Sequence, residues 1–186
     1  MKKLTLIGDS IRMMGYGTKV PELLKDEYEI FQPEENCRFS KFTLRGVLHE
    51  WAANIEGSDI IHWNNGLWDV CDLGDGVFTP KEEYVANMTR IASALKQKTK
   101  VVIFATTTPV RNEHTRTSNP PIVEYNKLIV PILSDMGILI NDLHSEVVKD
   151  IDKYIRGDDF IHLTDAGIDL CSDMVVKAVR EAEKLL

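Results

Sequence analysis

Two short stretches at opposite ends of the chain carry side chains that could act together as a hydrolytic site. Gly8-Asp9-Ser10 follows the largely apolar run Leu4–Ile7, so a serine stands at the carboxyl end of a predicted strand. A serine hydroxyl is a weak nucleophile until a base takes its proton. Asp159 precedes His162 by three residues, and a carboxylate bound to Nδ1 would leave Nε2 free as that base. These residue types predict a serine nucleophile served by a histidine and an aspartate.

Asn64 is a third candidate, because it follows the predicted strand Asp59–Trp63. The transition state of ester cleavage places negative charge on the former carbonyl oxygen, and a fixed amide N–H can donate to that oxygen. Each candidate also has a structural interpretation: Ser10 could cap a helix, Asn64 could belong to a turn, and Asp159 could lie in a solvated loop. The combination of all three favours chemistry.

The elements that must position these residues alternate between strand and helix. The predicted strands are Leu4–Ile7, Tyr28–Phe31, Asp59–Trp63, Lys100–Ala105 and Gly137–Ile140. Successive strands joined by helices require crossover connections and therefore a parallel sheet. We expect one α/β domain over residues 1–186, a doubly wound, flavodoxin-like α/β/α sandwich of five parallel strands in the order 2-1-3-4-5. In that order, Ser10 and Asn64 end neighbouring strands.

Helical spacing and capping residues predict the intervening helices. They are a short helix from Pro21, one over Phe42–Ile55, one capped by Thr79, one over Pro121–Met136 that Pro131 should kink or split, one over Asp142–Tyr154, and a last one from near Thr164. Residues 106–121 form a long polar loop of the kind that often carries function.

Composition excludes several classes of partner. The net charge of -7 and the pI near 5.3 argue against nucleic acid or an anionic membrane as partner. Three cysteines without a Cys-x-x-Cys pair suggest neither a zinc site nor a disulfide framework, and they fit a reducing compartment. No apolar segment approaches the ~18 residues that span a bilayer. We therefore expect a cytoplasmic protein without metal or cofactor.

With these motifs, the sequence resembles the SGNH hydrolases, also called GDSL esterases and lipases. Gly8-Asp9-Ser10 is similar to the first family block, His62-Trp63-Asn64-Asn65 to the third, and Asp159 with His162 to the last, so the resemblance spans the chain. It implies Ser10 as nucleophile, His162 as base, Asp159 as its partner and Asn64 as an oxyanion donor. His62 replaces the usual glycine and Asn65 the usual aspartate.

The second family block is the weakest match. It corresponds to Asn36–Lys41, where Lys41 stands at the position of a glycine whose backbone N–H serves the oxyanion hole. The resemblance thus implies that the amides of Ser10 and Lys41 assist Asn64. Trp68, Arg12 and Arg111 are further candidates for substrate contacts, although core is the commoner position of a tryptophan and solvated surface the commoner position of such arginines.

The resemblance implies a metal-independent esterase that removes a small acyl group, above all acetyl, from a carbohydrate. The enzyme alternative is a lysophospholipase or thioesterase, since the residues do not reveal the substrate. The alternative outside the enzymes is a binding protein that holds an acylated sugar without cleaving it. A nucleotide-binding flavodoxin-like protein is a weaker alternative, because no glycine-rich phosphate loop is present.

Overall fold

The computed structural model describes residues 1–186 and contains one five-stranded, entirely parallel sheet. The strands are β1 (Lys2–Ile7), β2 (Tyr28–Phe31), β3 (Ile60–Asn64), β4 (Val101–Ala105) and β5 (Leu139–Asn141), in the order β2-β1-β3-β4-β5. Every residue of β3 and β4 is buried, as expected for central strands covered by helices on both faces. The predicted fold class and strand order are confirmed.

Eight α-helices connect and cover the strands. They are α1 (Val20–Leu24), α2 (Ser40–Arg45), α3 (Ala52–Ile55), α4 (Lys81–Lys96), α5 (Asn119–Asp135), α6 (Leu143–Val147), α7 (Ile151–Tyr154) and α8 (Asp165–Glu183). None of them is both long and apolar enough to cross a membrane.

Two predicted helices are each divided. The segment expected as one helix over Phe42–Ile55 consists of α2, a π-helical turn over Gly46–Glu50, and α3. At this turn the Trp51 ring packs directly on Gly46, where any Cβ would overlap the indole. A 3₁₀ turn over Val148–Asp150 separates α6 from α7 in the same way. Apolar spacing alone does not reveal such changes of helical winding.

Helix ends agree with the sequence at one position and differ at others. Helix α8 begins directly after Thr164, close to the predicted start, and Thr164 caps it by accepting a hydrogen bond from the Gly167 N–H at 3.1 Å. The cap of α4 is Pro80 and not Thr79. Helix α5 continues through Pro131 as one element, so Pro131 does not split it.

The carboxyl ends of β1 and β3 lie side by side, because Ile7 pairs with Trp63 in the parallel register. The chain runs from β1 outward to β2 and then back across to β3, so the strand order reverses between β1 and β3. Doubly wound folds bind ligands at such a switch point. The fold therefore places the residues after Ile7 and Trp63 at the position where a ligand is expected.

Candidate active site

Ser10 lies at the switch point, on a tightly hydrogen-bonded turn. It precedes a π-helical turn over Ile11–Gly15, and the residue as a whole is only 8% exposed. The turn is fixed from within: Asp9 Oδ1 accepts from the Ile11 N–H at 2.9 Å, and the Asp9 carbonyl accepts from the next two amides. Ser10 thus has little freedom to move relative to β1.

Arg12 holds this turn against the loop that follows β2. Its buried guanidinium donates to the Pro33 carbonyl at 2.8 Å, to the Glu35 carbonyl at 2.7 Å, and to the Gly8 carbonyl at 3.2 and 3.3 Å. The Cys37 N–H also donates to the Gly8 carbonyl, at 3.1 Å. Arg12 is therefore bound to backbone carbonyls in the interior, and both positions considered for it, a substrate contact and the solvated surface, are wrong.

Asp159 and His162 form a closed turn after α7. Asp159 Oδ1 accepts from the backbone N–H groups of Ile161 and His162 at 3.1 and 3.0 Å, and Oδ2 lies 3.0 Å from His162 Nδ1. Phe160 adopts a left-handed φ of 65°, which folds the chain around the carboxylate. Burial alone would raise the pKa of Asp159, but the hydrogen bonds from His162 and Ile161 lower it to about 2.

An ionised Asp159 can only accept hydrogen bonds, so the Nδ1 of His162 carries the proton. In the neutral imidazole this leaves the Nε2 lone pair free. The pair therefore has the tautomer that a general base requires.

The structure brings the two ends of the chain to one place. Ser10 and Ile161 line the same cavity, and the backbone N–H of Arg111 donates to the Phe160 carbonyl at 2.9 Å. Burial raises the pKa of Asp9, while hydrogen bonds from Asn64 and Ile11 and the charge of Arg12 oppose that rise. The His162 Nδ1 is bonded to Asp159, and no bond joins its ring to the Ser10 hydroxyl in this structure. Such contacts often tighten only when substrate binds.

Asn64 is held at both ends of its amide. Its Oδ1 accepts from the Tyr16 hydroxyl at 2.6 Å, and its Nδ2 donates to Asp9 Oδ1 at 2.9 Å. Gly8 permits this packing, since a Cβ there would overlap Asn64 Oδ1. The second hydrogen of Nδ2 has no partner in the chain, so one amide donor remains for a ligand.

The two departures from the family pattern have structural roles. His62 is fully buried, and burial lowers its pKa to about 3, so it is a neutral core residue 3.2 Å from Asn141 Nδ2. Asn65 accepts from Trp63 Nε1 at 2.7 Å and donates to the Arg38 carbonyl at 2.8 Å. Asn65 thus ties β3 to the second-block loop.

Lys41 lies in the first turn of α2, and its backbone N–H makes no hydrogen bond within the chain. Its side chain points to solvent and pairs with Glu83 at 2.9 Å. The turn itself is held by Asp69, whose carboxylate accepts from the Ser40 N–H at 3.0 Å and from the Ser40 hydroxyl at 2.6 Å. Burial raises the pKa of Asp69 to about 6. Sequence reasoning missed Asp69 because it lies in an irregular loop.

A cavity of about 270 Å³ opens beside Ser10 and has mostly apolar walls. Its lining consists of Ser10, Phe39, Leu67, Trp68, Cys71, Leu73, Phe78, His114, Arg116, Thr117 and Ile161. Trp68, predicted to contact substrate, is 42% exposed at this cavity. A larger groove of about 630 Å³, between β5 and α8, contains no candidate nucleophile.

Arg111, also predicted to contact substrate, does not line the cavity. Its guanidinium donates to the Ile155 carbonyl at 2.8 Å and to Asp152 Oδ1 at 2.7 Å. These contacts fix the loop 106–118 against α7, so Arg111 supports the turn that carries Asp159. Elsewhere in the chain, no three His, Cys, Asp or Glu side chains converge as a metal site would require.

The fold is a doubly wound α/β/α sandwich that carries a serine in the turn after β1. Among solved structures, the acetyl xylan esterase AlAXEase matches 95% of this chain and 99% of its own, with a TM-score of 0.80 and 21% identity. Axe2, an acetylxylan esterase from Geobacillus stearothermophilus, matches 95% and 93% with a TM-score of 0.77 and 19% identity. LAE5, an α/β hydrolase from the metagenome of Lake Arreo, matches 95% and 94% with a TM-score of 0.77 and 16% identity.

Catalytic mutants of Axe2 with a serine, an aspartate or a histidine replaced share the fold, and the last two positions are three residues apart. No protein-family model and no curated protein matches the sequence. These likenesses confirm the fold that the SGNH resemblance implied.

Proposed function

We propose that this protein is a serine esterase that removes a small acyl group, above all acetyl, from a carbohydrate. Support for the proposal comes from the turn in which Asp159 lies 3.0 Å from His162 Nδ1, because Ile161 of that turn lines the same cavity as Ser10. The Asp-x-x-His spacing also equals that of the two catalytic mutant positions in Axe2, a protein of the same fold.

In the proposed reaction, Ser10 Oγ attacks the ester carbonyl while His162 Nε2 takes its proton. The imidazolium then gives that proton to the leaving alcohol, and the ionised Asp159 stabilises the charged ring. Water, deprotonated by His162, attacks the acyl-Ser10 intermediate, and Ser10 regains its proton as the acid leaves. His162 accepts and returns the proton in each of these steps.

The oxyanion would be held by Asn64 and by backbone amides. Asn64 offers its second Nδ2 hydrogen, and the N–H groups of Ser10 and Lys41 make no hydrogen bond within the chain. Donors fixed before the reaction stabilise charge that develops during it, because no reorganisation is needed.

The aromatic walls of the cavity favour a substrate whose alcohol part is a ring. Trp68 and Phe78 are 42% and 45% exposed, and Phe78 packs against Phe39 with ring centroids 5.0 Å apart. An exposed indole offers a flat apolar surface against which the apolar face of a sugar ring can stack. A carbohydrate bearing an acetyl ester fits this arrangement.

The same apolar walls favour a second candidate function, hydrolysis of longer acyl esters or thioesters. p-Nitrophenyl esters of two to twelve carbons, together with acetylated xylo-oligosaccharides and acyl-coenzyme A, separate the two. The proposal predicts the highest kcat/KM for acetyl and a gain with the sugar alcohol. A maximum at eight carbons or more would replace it with the second candidate.

A fluorophosphonate probe and the Ser10→Ala variant test the mechanism itself. Wild type should be labelled once per chain, and Ser10→Ala should lose both labelling and turnover while keeping its melting temperature. Ser172→Ala is the matched control, since its buried hydroxyl has no hydrogen-bond partner and it lies in α8. A folded wild type that binds acetylated sugar but is neither labelled nor active would be a binding protein.

A further inference from the structure

Tyr16 contacts Asn64 in a way that none of the proposed roles explains. It lies in the 3₁₀ turn Tyr16–Thr18, directly after the π-helical turn that follows Ser10. The residue is fully buried, and its hydroxyl donates to Asn64 Oδ1 at 2.6 Å. Its ring stands edge-on to His62, with centroids 5.3 Å apart, which fixes the direction of the hydroxyl. A buried, rigid phenol thus meets the carbonyl end of the amide.

The orientation of this amide decides whether Asn64 can serve an oxyanion. An asparagine side chain has a donor end and an acceptor end of nearly the same shape. If the amide turned over, Oδ1 would face the developing negative charge and repel it. Asp9 Oδ1, 2.9 Å from Nδ2, favours the productive orientation from one side only.

We propose that Tyr16 is a positioning residue that locks the Asn64 amide with its N–H groups toward the oxyanion. A hydroxyl that donates to Oδ1 and a carboxylate that accepts from Nδ2 together define both ends of the amide. The inference rests on the proposed esterase function, since it assigns a role within that reaction.

The phenol remains a donor at any pH at which the enzyme would work. Burial raises the pKa of Tyr16 well above its ordinary value, so the hydroxyl keeps its proton. Tyr16 makes no second hydrogen bond through its oxygen, so the whole effect of removing the hydroxyl falls on Asn64.

Tyr16→Phe removes one oxygen atom and leaves the ring in place. We expect kcat for p-nitrophenyl acetate to fall about tenfold or more, with KM within twofold, because the amide matters most when the charge is fully developed. Tyr125→Phe is the matched control: Tyr125 is also buried, and its hydroxyl donates to the Thr79 carbonyl at 2.7 Å. That variant should keep its kcat even if its melting temperature falls.

A double-mutant cycle separates positioning from a general structural effect. If Tyr16 acts through Asn64, Tyr16→Phe should lower kcat little or not at all in an Asn64→Ala background. Titration with the fluorophosphonate probe counts competent sites, so partial unfolding is not mistaken for a lower kcat. An unchanged kcat in Tyr16→Phe, or the same fold-loss in both backgrounds, would overturn the inference.

The outcomes also distinguish this inference from the proposed function. Failure of the positioning role leaves an active wild type and an inactive Ser10→Ala. A wild type without turnover or labelling overturns both.

Discussion

Replacement of Asp159 by asparagine tests the proposed triad at its most informative position. Asparagine can keep the two backbone hydrogen bonds that Asp159 Oδ1 accepts from Ile161 and His162, at 3.1 and 3.0 Å. Its NH₂ group then takes the place of Oδ2, 3.0 Å from His162 Nδ1. Because that group only donates, it favours the imidazole with a bare Nδ1 and a proton on Nε2.

An imidazole protonated on Nε2 cannot take the proton of Ser10. We therefore expect kcat to fall by ~10⁴, the cost of the wrong tautomer in a serine–histidine–aspartate site, or about 5–6 kcal/mol of transition-state stabilisation. Asp159 and His162 are 32% and 24% exposed, so loss of the hydrogen bond between them should change the free energy of unfolding by no more than about 1 kcal/mol.

The assay is the steady-state kcat for p-nitrophenyl acetate, measured with the melting temperature on the same preparation. Asp158→Asn is the matched control: Asp158 neighbours Asp159 but accepts from Arg156, at 2.8 Å, and forms no hydrogen bond with His162. Its kcat should remain within twofold of wild type. A folded Asp159→Asn variant within tenfold of wild type would refute the assignment of Asp159.

Four further predictions follow from the site and its supports. Asn64→Ala should lower kcat by ~10²–10³ with little change in KM; a normal kcat with a lower melting temperature would make Asn64 a turn residue only. The kcat/KM should rise between about pH 5 and 8, the window in which histidine ordinarily loses its charge, because only a neutral imidazole can take the serine proton. Asp159, with a pKa of about 2, stays ionised throughout this window; a flat profile would exclude His162 as base. Arg12→Lys should lower the free energy of unfolding by about 3–5 kcal/mol, since one ammonium cannot replace the guanidinium on three carbonyls; thermal unfolding with a loss under about 1 kcal/mol would contradict this. The pKa of Asp69 is raised to about 6, so its protonation contributes stability that is fully present below pH ~4 and is lost as the pH rises through 6. Between pH 4 and 8 the free energy of unfolding of wild type should therefore fall by about 3 kcal/mol relative to that of Asp69→Asn; a constant difference between their urea midpoints would argue against this.

The strands and their order were predictable because apolar runs bounded by polar residues mark buried strands, and crossover helices force them to be parallel. The positions of Ser10 and Asn64 follow from that order. The Asp159–His162 contact was predictable from their spacing, since it forms within one turn. These features depend on local sequence and on a small set of allowed topologies.

Contacts between distant segments were not predictable in the same way. Arg12 looked like a loop residue open to substrate, yet it is buried on carbonyls that lie more than twenty residues away. Tyr16 reaches Asn64 across 48 positions, through a π-helical turn that no periodicity indicated. Asp69 is a loop residue by pattern, and only the fold shows that it caps α2.

The buried Arg12 makes sequence changes near Ser10 depend on one another, whereas changes in the outer cavity walls do not depend on it. The Arg12 guanidinium joins the turn that carries Ser10 to the segment 33–37 through backbone carbonyls of both. Insertions or deletions in that segment would remove hydrogen-bond acceptors from a buried cation and displace Ser10. The outer cavity walls, which include Leu73, Phe78, His114 and Arg116, accept none of the hydrogen bonds of that guanidinium. Mutational drift or directed evolution should therefore change substrate preference through these outer walls, while the reaction itself stays the same.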